Sequence, residues 1–589
     1  MSGVGSALAG LDMDMPGDTQ IPIILGTSYW MYELSRSVLN GSVPVDRLND
    51  MATRIVAAWF QMGQDKDYPP PNFSSNTRDR TGPLYPAAVL SPTGVVNQYV
   101  NVQADHYKVA RQVAQDAITL LKNDGSLLPL SPSQKLSVFG TDAQVNPDGP
   151  NACGNRACNK GTLGMGWGSG VADYPYFDDP IGAIKRRSPN TTYYATDSFP
   201  SVPAPSPSDV AIVFISSDSG ENSFTVEGNH GDRDASKLSA WHNGDKLVQQ
   251  AAAKYANVVV VVHTVGPLVL EPWISLPSVK SVLFAHLPGQ EAGESLTNIL
   301  FGDVSPSGHL PYSITKSASD YPDSISTLRG FALGQTQDTF SEGLYIDYRY
   351  LNAHKITPRY AFGHGLSYTT FSLTNASIRS VTPLTAVPPP SPSRLPTPAY
   401  NTTIPPPSEA YYPPGFNRIW RYLYSWLPKS DADAAAAQAT KATYPYPAGY
   451  STTPRPPPPS SGGQGGNPSL FDVAFEISFT VTNVGTQYAG KASVQAYVQF
   501  PEGLKWDTPV IQLRDFEKTA SLERGGGREE VMLRLTRKDV SVWDVERQDW
   551  VVPDLGGRYR VWVGEGSDRL GLVCYGDTLE CEEGVEGPV

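Results

Sequence analysis

Two short stretches constrain the fold of this chain more than any other feature. VAIVFIS at 210–216 and NVVVVVHT at 257–264 are near-continuous apolar runs, rich in β-branched residues. A run of that length and make-up fits a strand covered on both faces, as in a parallel sheet flanked by helices. Helix-like and strand-like segments alternate around the two runs, over 105–316. Residues 105–122 have helical spacing, with Val109, Val113, Ala117, Leu120 and Leu121 expected to face inward. KLSVFG (135–140) and SVLFAHL (281–287) read as strands, and 238–255 and 290–300 as helices. The expected fold of 105–316 is an open α/β sandwich. Ligands of such sheets bind beyond the carboxyl ends of the strands, which directs attention to the loops at 141–170, 217–233, 265–273 and 287–291.

The flanks differ in pattern. Residues 35–62 read as a helix closing a domain, opened by Val43 and Pro44 with Asp46 in its first turn. Residues 63–104 are polar and Pro-rich and read as a linker. Residues 317–380 form an aromatic-rich connector, in which FSLTNASI (371–378) is expected to be the first strand of a β-sandwich. Residues 381–470 hold 21 of the 53 prolines and read as a disordered or polyproline insertion, with one stretch at 416–427 able to pack as a helix. Residues 471–575 alternate with period two and suggest an immunoglobulin-like sandwich. Residues 576–589 form an acidic tail, expected to fray from Glu580.

Forty-five basic against 58 acidic side chains leave a net charge of −13, so charge supplies no affinity for nucleic acid or an anionic membrane. No apolar run approaches the roughly 18 residues of a membrane span. The first residues, MSGVGSALAGLDMDMPGD, carry neither the basic nor the apolar region of a secretory signal and suggest a chain that begins in mid-domain. Five glycosylation triplets, at Asn40, Asn72, Asn190, Asn375 and Asn401, point toward secretion. The four cysteines form two close pairs, Cys153 with Cys158 and Cys574 with Cys581. Local disulfides are the favoured reading, with free thiols or a metal site as alternatives.

The best local candidate for chemistry is SSDSGENSFTVEGNHGDR (216–233), which places Glu221 just past the carboxyl end of a buried strand. A carboxylate there can serve as a general acid if partly desolvated, or it can be a cap or a solvated charge. Glu227, Asp232 and Arg233 are rivals, the last two read as an ion pair. In the glycine-rich loop GTLGMGWGSG (161–170), Trp167 is either packing or a wall for a sugar ring. Glu291 and Glu294 are read as helix caps. His263, His286, His309 and His364 have no metal-ligand spacing and are read as structural. No GxSxG is present, and no metal or organic cofactor is expected.

Seven motifs then fall in one order: GLDMDMPGD (10–18), LLKNDGSLLPL (120–130), GWGSG (166–170), SDSGE (217–221), LPGQEAGESLTNILFGDVSPSGHLP (287–311), RYAFGHGLSYTTF (359–371) and FTVTNVGTQYAGKASVQAYV (479–498). Together the sequence resembles glycoside hydrolase family 3, in particular its fungal secreted β-glucosidases. The resemblance implies a multidomain α/β plus β architecture. Residues 1–62 would be the remnant of a (β/α)8-like barrel, 105–316 the α/β sandwich, and 471–575 a fibronectin type III-like domain interrupted by the Pro-rich insertion.

The resemblance also implies a retaining glycosidase acting on β-linked glucosides or cello-oligosaccharides. Glu221 would be the acid/base, and Trp167, Ser169, Ser223 and Phe224 would surround the sugar. Cys153–Cys158 matches a short family disulfide, and the complete gene product would be secreted. The family nucleophile, an Asp in an SDW motif, would fall before Met1, so Asp12, Asp14 and Asp18 are not promoted to that role. The polypeptide as written is therefore expected to be inactive or nearly so. Many relatives read SGEGY where this chain has SGENS, and Ser223 in place of the aromatic implies weaker stacking on the second sugar. A β-xylosidase on the same scaffold and a truncated noncatalytic carbohydrate-binding or structural protein are the alternatives. A barrel lacking strands exposes edges and apolar faces. Hydrogen exchange is expected to be fast in 1–62 and slow in 105–316, and uniformly slow exchange across both would contradict this reading.

Overall fold

The computed structural model describes residues 3–14, 30, 32–67, 74, 77–84, 92–168, 170–221, 225–227, 238–322, 340–390 and 467–589. The proposed helix at 416–427 and the Asp232–Arg233 pair lie outside them, as do Asp18, Asn72, Ser169, Ser223, Phe224, Asn401 and most of the Pro-rich insertion. The chain divides into two compact units, 1–102 with 390–468 and 103–389 with 469–589.

In the first unit, the described residues of 1–62 form three helices, α1 (Gly3–Leu8), α2 (Tyr32–Leu39) and α3 (Val45–Gln61). The single helix expected over 35–62 is thus two, separated by a turn at Gly41 with φ +81°. Ala7, Trp30, Val38, Val43, Val45 and Met51 make a small apolar cluster. Arg47, 1% exposed, ties it together. Its guanidinium donates to the carbonyls of Ala7 (2.6 Å) and Leu11 (2.9 Å) and pairs with Asp12 and Asp50, each at 2.8 Å. Four acceptors offset the cost of burying that charge. The segment read as a linker contains an antiparallel ribbon, β1 (Thr81–Pro83) with β2 (Thr93–Val95).

The second unit begins with α4 (His106–Ala117). The helix expected to reach residue 122 stops five residues sooner. Val109 and Val113 are 61% and 63% exposed, while Leu120 and Leu121 sit on β3 (Thr119–Asn123). There follow β4 (Leu136–Phe139), α5 (Pro180–Arg187), β5 (Thr191–Tyr194), β6 (Val210–Ser217), α6 (Gly244–Lys254), β7 (Asn257–Thr264), β8 (Val279–Phe284) and α7 (Ala292–Leu300). The helix expected over 238–255 is α6, which starts only at Gly244. The sheet order is β3-β8-β7-β6-β4-β5; all neighbours are parallel except β3, which runs against β8.

All eight residues of β6 are buried, as are seven of eight in β7. Alternate side chains feed two cores. Val213, Ile215 and Val260 pack with Leu247, Val248 and Ala251 of α6 on one face. Ile212, Phe214, Val259 and Val261 pack with Ile181 and Ile184 of α5 and Leu296 and Ile299 of α7 on the other.

A short helix α8 (Tyr348–His354) leads to the sandwich. Its strands are β9 (Phe371–Ser380), β10 (Val473–Asn483), β11 (Ser493–Gln499), β12 (Gln512–Lys518), β13 (Arg528–Thr536), β14 (Val542–Asp544), β15 (Asp549–Val551), β16 (Arg560–Gly564), β17 (Leu570–Tyr575) and β18 (Cys581–Glu583). One sheet runs β13-β10-β9 and the other β12-β11-β16-β17-β18, with β14 and β15 as a separate hairpin. Strand β9 precedes the insertion and pairs with β10 after it, so the insertion interrupts this domain. The tail does not simply fray. Residues 581–583 pair with β17, and Cys574 is opposite and disulfide-bonded to Cys581. Lys491 meets Asp116 of α4 at 2.6 Å, linking sandwich to α/β layer.

Asn483, fully buried, uses all its hydrogen-bonding capacity. Its Oδ1 accepts from Thr369 Oγ1 (2.5 Å) and Gly485 N (3.0 Å), and its Nδ2 donates to the carbonyls of Tyr488 and Leu522, both at 3.0 Å. Asn483→Ala strands these partners and should destabilise the second unit by about 3 kcal/mol. Urea unfolding checks this as a lower midpoint at unchanged slope.

Candidate active site

The site is built where β6 runs out. Past Ser217 the chain turns through Asp218, Ser219 and Gly220 and presents Glu221 with its side chain exposed. Pairing with a second loop holds that turn. Trp167 and Gly220 form a parallel bridge, Glu221 N–H donates to the Trp167 carbonyl (3.4 Å), and Trp167 Nε1 donates to the Glu221 carbonyl (3.2 Å).

Glycine is what makes the approach possible. A Cβ on Gly220 would lie 2.2 Å from the Trp167 oxygen, and one on Gly166 would lie 2.8 Å from the Ser219 oxygen. Gly168, at φ +140°, would put a Cβ 3.1 Å from that of Glu221. The alternating glycines of GWG therefore read as spacers that let one backbone lie against another. Trp167 itself is 4% exposed and packs edge-on to Trp241 at 6.1 Å. Its ring does not present a face as a sugar wall. It lies beneath the turn and grips the Glu221 peptide.

Asp218 escaped the sequence reading. It is 1% exposed, and burial pushes its carboxyl up to about 8, against a hydrogen bond from Ser219 N–H that favours ionisation. Its position directly after an uninterrupted apolar strand was the available signal. Deeper in the same loops, Asp142 bonds His263 Nδ1 at 2.6 Å and accepts from Leu163 N at 2.8 Å. Burial pushes His286 down to about 4 and His309 to about 3, which leaves both neutral at physiological pH.

The reading of Glu291 as a cap is corrected. It is fully buried, makes no cap hydrogen bond, and accepts from Arg111 Nε (2.9 Å) and the Tyr176 hydroxyl. The first turn of α7 is bonded by Asp178, whose carboxylate accepts from Glu294 N at 2.6 Å. Glu227 meets His242 at 2.7 Å and is turned to that partner. Cys153 and Cys158 form a disulfide with Cα atoms 5.9 Å apart, closing the loop ahead of Trp167. Asn190 and Asn375 are exposed, whereas Asn40 is half-buried and accepts from Ser42 N–H at 3.0 Å.

The Asp218 carboxyl has a thermodynamic consequence. In the unfolded chain it ionises near 3.8 and in the folded chain near 8, so between these values the folded state holds the extra proton. Its stabilising contribution is full below about pH 4 and is lost as pH rises through about 8, a change on the order of a few kcal/mol. Asp218→Asn keeps the shape and removes the titration. Urea midpoints at pH 4 and pH 8 should differ less in the variant than in the parent.

Residues 118–368 match the Glycosyl hydrolase family 3 C-terminal domain, and 492–567 match the Fibronectin type III-like domain. "Probable beta-glucosidase F" of Aspergillus fumigatus is 60% identical over 573 residues, which are 97% of this chain and 65% of that protein. Its counterpart in Emericella nidulans is 59% identical, over 96% of this chain and 64% of its own length. The chain thus spans just under two thirds of these curated relatives. Among solved structures, a Chaetomium thermophilum beta-glucosidase superposes with a TM-score of 0.76 at 36% identity, covering 98% of this chain and 68% of that one. A family 3 beta-glucosidase from Neurospora crassa gives 0.74 at 35%, covering 99% and 68%. In sequence and in fold, from the strand after α4 to the fibronectin-like sandwich, the chain belongs to glycoside hydrolase family 3.

Proposed function

We propose that this chain is part of a retaining β-glucosidase and that Glu221 is its acid/base. The observation that carries the reading is the placement of Glu221: an exposed carboxylate beyond the carboxyl end of a fully buried strand, its backbone held on both sides by Trp167. The 60% identity to proteins named as probable β-glucosidases supports the substrate class, a nonreducing terminal β-D-glucoside.

In a retaining reaction, one carboxyl protonates the leaving glycosidic oxygen while a second carboxylate, about 5–5.5 Å away, attacks the anomeric carbon. A covalent glycosyl-enzyme forms and the aglycone departs carrying the proton. The first residue, now a carboxylate, takes a proton from water as that water attacks the same carbon. Glu221 serves both half-reactions. The attacking carboxylate is assigned to the Asp of the family's SDW segment, a tripeptide that these 589 residues do not contain. Secretion fits the exposed triplets at Asn190 and Asn375 and the two disulfides. Among the described residues no helix is long and apolar enough to cross a membrane.

The test is release of 4-nitrophenol from 4-nitrophenyl β-D-glucoside. The 589-residue polypeptide alone should release none above a Glu221→Gln control. Joined to a family barrel carrying the SDW segment, it should hydrolyse the glucoside. Glu221→Ala in that fusion should then lose about 10²–10⁴-fold in rate, the range of a general acid/base contribution. Part of the loss should return when azide replaces water as the nucleophile of the second step. Full activity of Glu221→Ala in the fusion would reject the assignment.

A further inference from the structure

A small cleft opens beside the Asp218 carboxyl, between the disulfide-closed loop and the rings of Tyr174 and Phe177. Three buried polar groups on its walls have no hydrogen-bond partner among the described residues: Arg156 Nε–H, the Asn159 side-chain amide and the Tyr174 hydroxyl. Asn159 is 8% exposed and Tyr174 9%. A buried polar group left unpaired costs about 1–3 kcal/mol, so three along one cleft indicate a missing acceptor.

Four groups of the lining are donors. Arg156 and Asn159 present N–H groups. Burial pushes the Tyr174 phenol up to about 12, so it presents O–H. Asp218, with a carboxyl near 8, presents O–H at neutral pH as well.

Charge points the same way. Arg156 donates its remaining groups to the carbonyls of Pro150 and Ala172 and to Asn151 Oδ1 (2.7 Å), all uncharged. Its carboxylate neighbour, Asp173, stands 4.0 Å away on the surface, while the guanidinium side chain is only 11% exposed. The Tyr174 ring, 4.2 Å from the guanidinium carbon, meets the charge as well. Lys160, also on the wall, has its own partner in Asp148 at 3.0 Å.

We propose that this cleft binds a small oxyanion of the carboxylate type, received by Arg156 Nε, the Asn159 amide and the Tyr174 hydroxyl. The anion satisfies the three orphaned donors and adds a second negative charge at a guanidinium whose ion pair with Asp173 is long, at 4.0 Å. Because Asp218 borders the cleft and begins the turn to Glu221, the occupant braces that turn from behind.

The test uses the full 589-residue chain and sodium formate, with sodium chloride at equal ionic strength as reference. Formate should raise the melting temperature saturably, as a ligand of the folded state does, and chloride should not. Tyr174→Phe keeps the ring under Arg156 and removes only the orphaned hydroxyl. Without formate it should melt no lower than the parent, and it should bind formate about tenfold more weakly, the effect of one hydrogen bond to a charged group. Asn159→Ala should weaken binding in the same direction. Glu221→Gln should bind like the parent. No saturable shift, equal affinity in the parent and both cleft variants, or loss of binding in Glu221→Gln would each overturn the proposal, the last by placing the ion at Glu221.

Discussion

The second unit is organised by the burial of β6 and β7 on both faces. A strand with eight consecutive buried residues cannot border water on either side. Helices must cover it twice, and here α6 lies on one face and α5 with α7 on the other. The polar side chains of these two strands, Ser216, Ser217, Asn257, His263 and Thr264, accordingly fall at their ends. The carboxyl end of β6 is where the chain first leaves the apolar layer, and the change occurs within four residues: Asp218 remains buried and Glu221 reaches solvent. Two carboxyls three residues apart thus have different environments, one enclosed and pushed up to about 8, the other in solvent.

The turn between them is held by backbone. The pairing of Gly220 with Trp167 leaves no room for a Cβ, and Gly166 and Gly168 clear the approach on either side. The Cys153–Cys158 disulfide shortens the loop that delivers Trp167, and Arg156 within that loop lies over Tyr174. Backbone pairing, disulfide and ring contact all limit where the Glu221 peptide can sit. Preorganisation of this kind is what a proton donor needs, since a misplacement of about 1 Å can cost on the order of 10²-fold in rate.

The covalent and apolar features were legible in the sequence because they are local. The runs at 210–216 and 257–264 became β6 and β7 with almost unchanged bounds, since uninterrupted β-branched residues permit little else. Strand β9 was recognisable across the long insertion for the same reason of pattern. The end of α4 was not. The apolar spacing runs on through Ile118 into β3, and nothing local separates a helix whose Val109 and Val113 face water from one that buries them. The tail was misjudged because its acidic composition hides a strand that depends on pairing with β17 and on Cys574.

By itself, the sequence determined the class of fold, the family and the loop that carries Glu221, because these rest on periodicity and on motifs contiguous in the chain. Tertiary structure alone decided which charged and aromatic side chains are enclosed. Glu291 looks like a helix cap until Arg111, 180 residues earlier, is brought to 2.9 Å. Trp167 looks like a platform until Trp241 and the Glu221 peptide close around it. Asp218 looks like one more loop carboxylate until burial raises it to about 8. Burial is a property of what folds over a residue. The segments that do so lie scores of positions away, where no local pattern reaches.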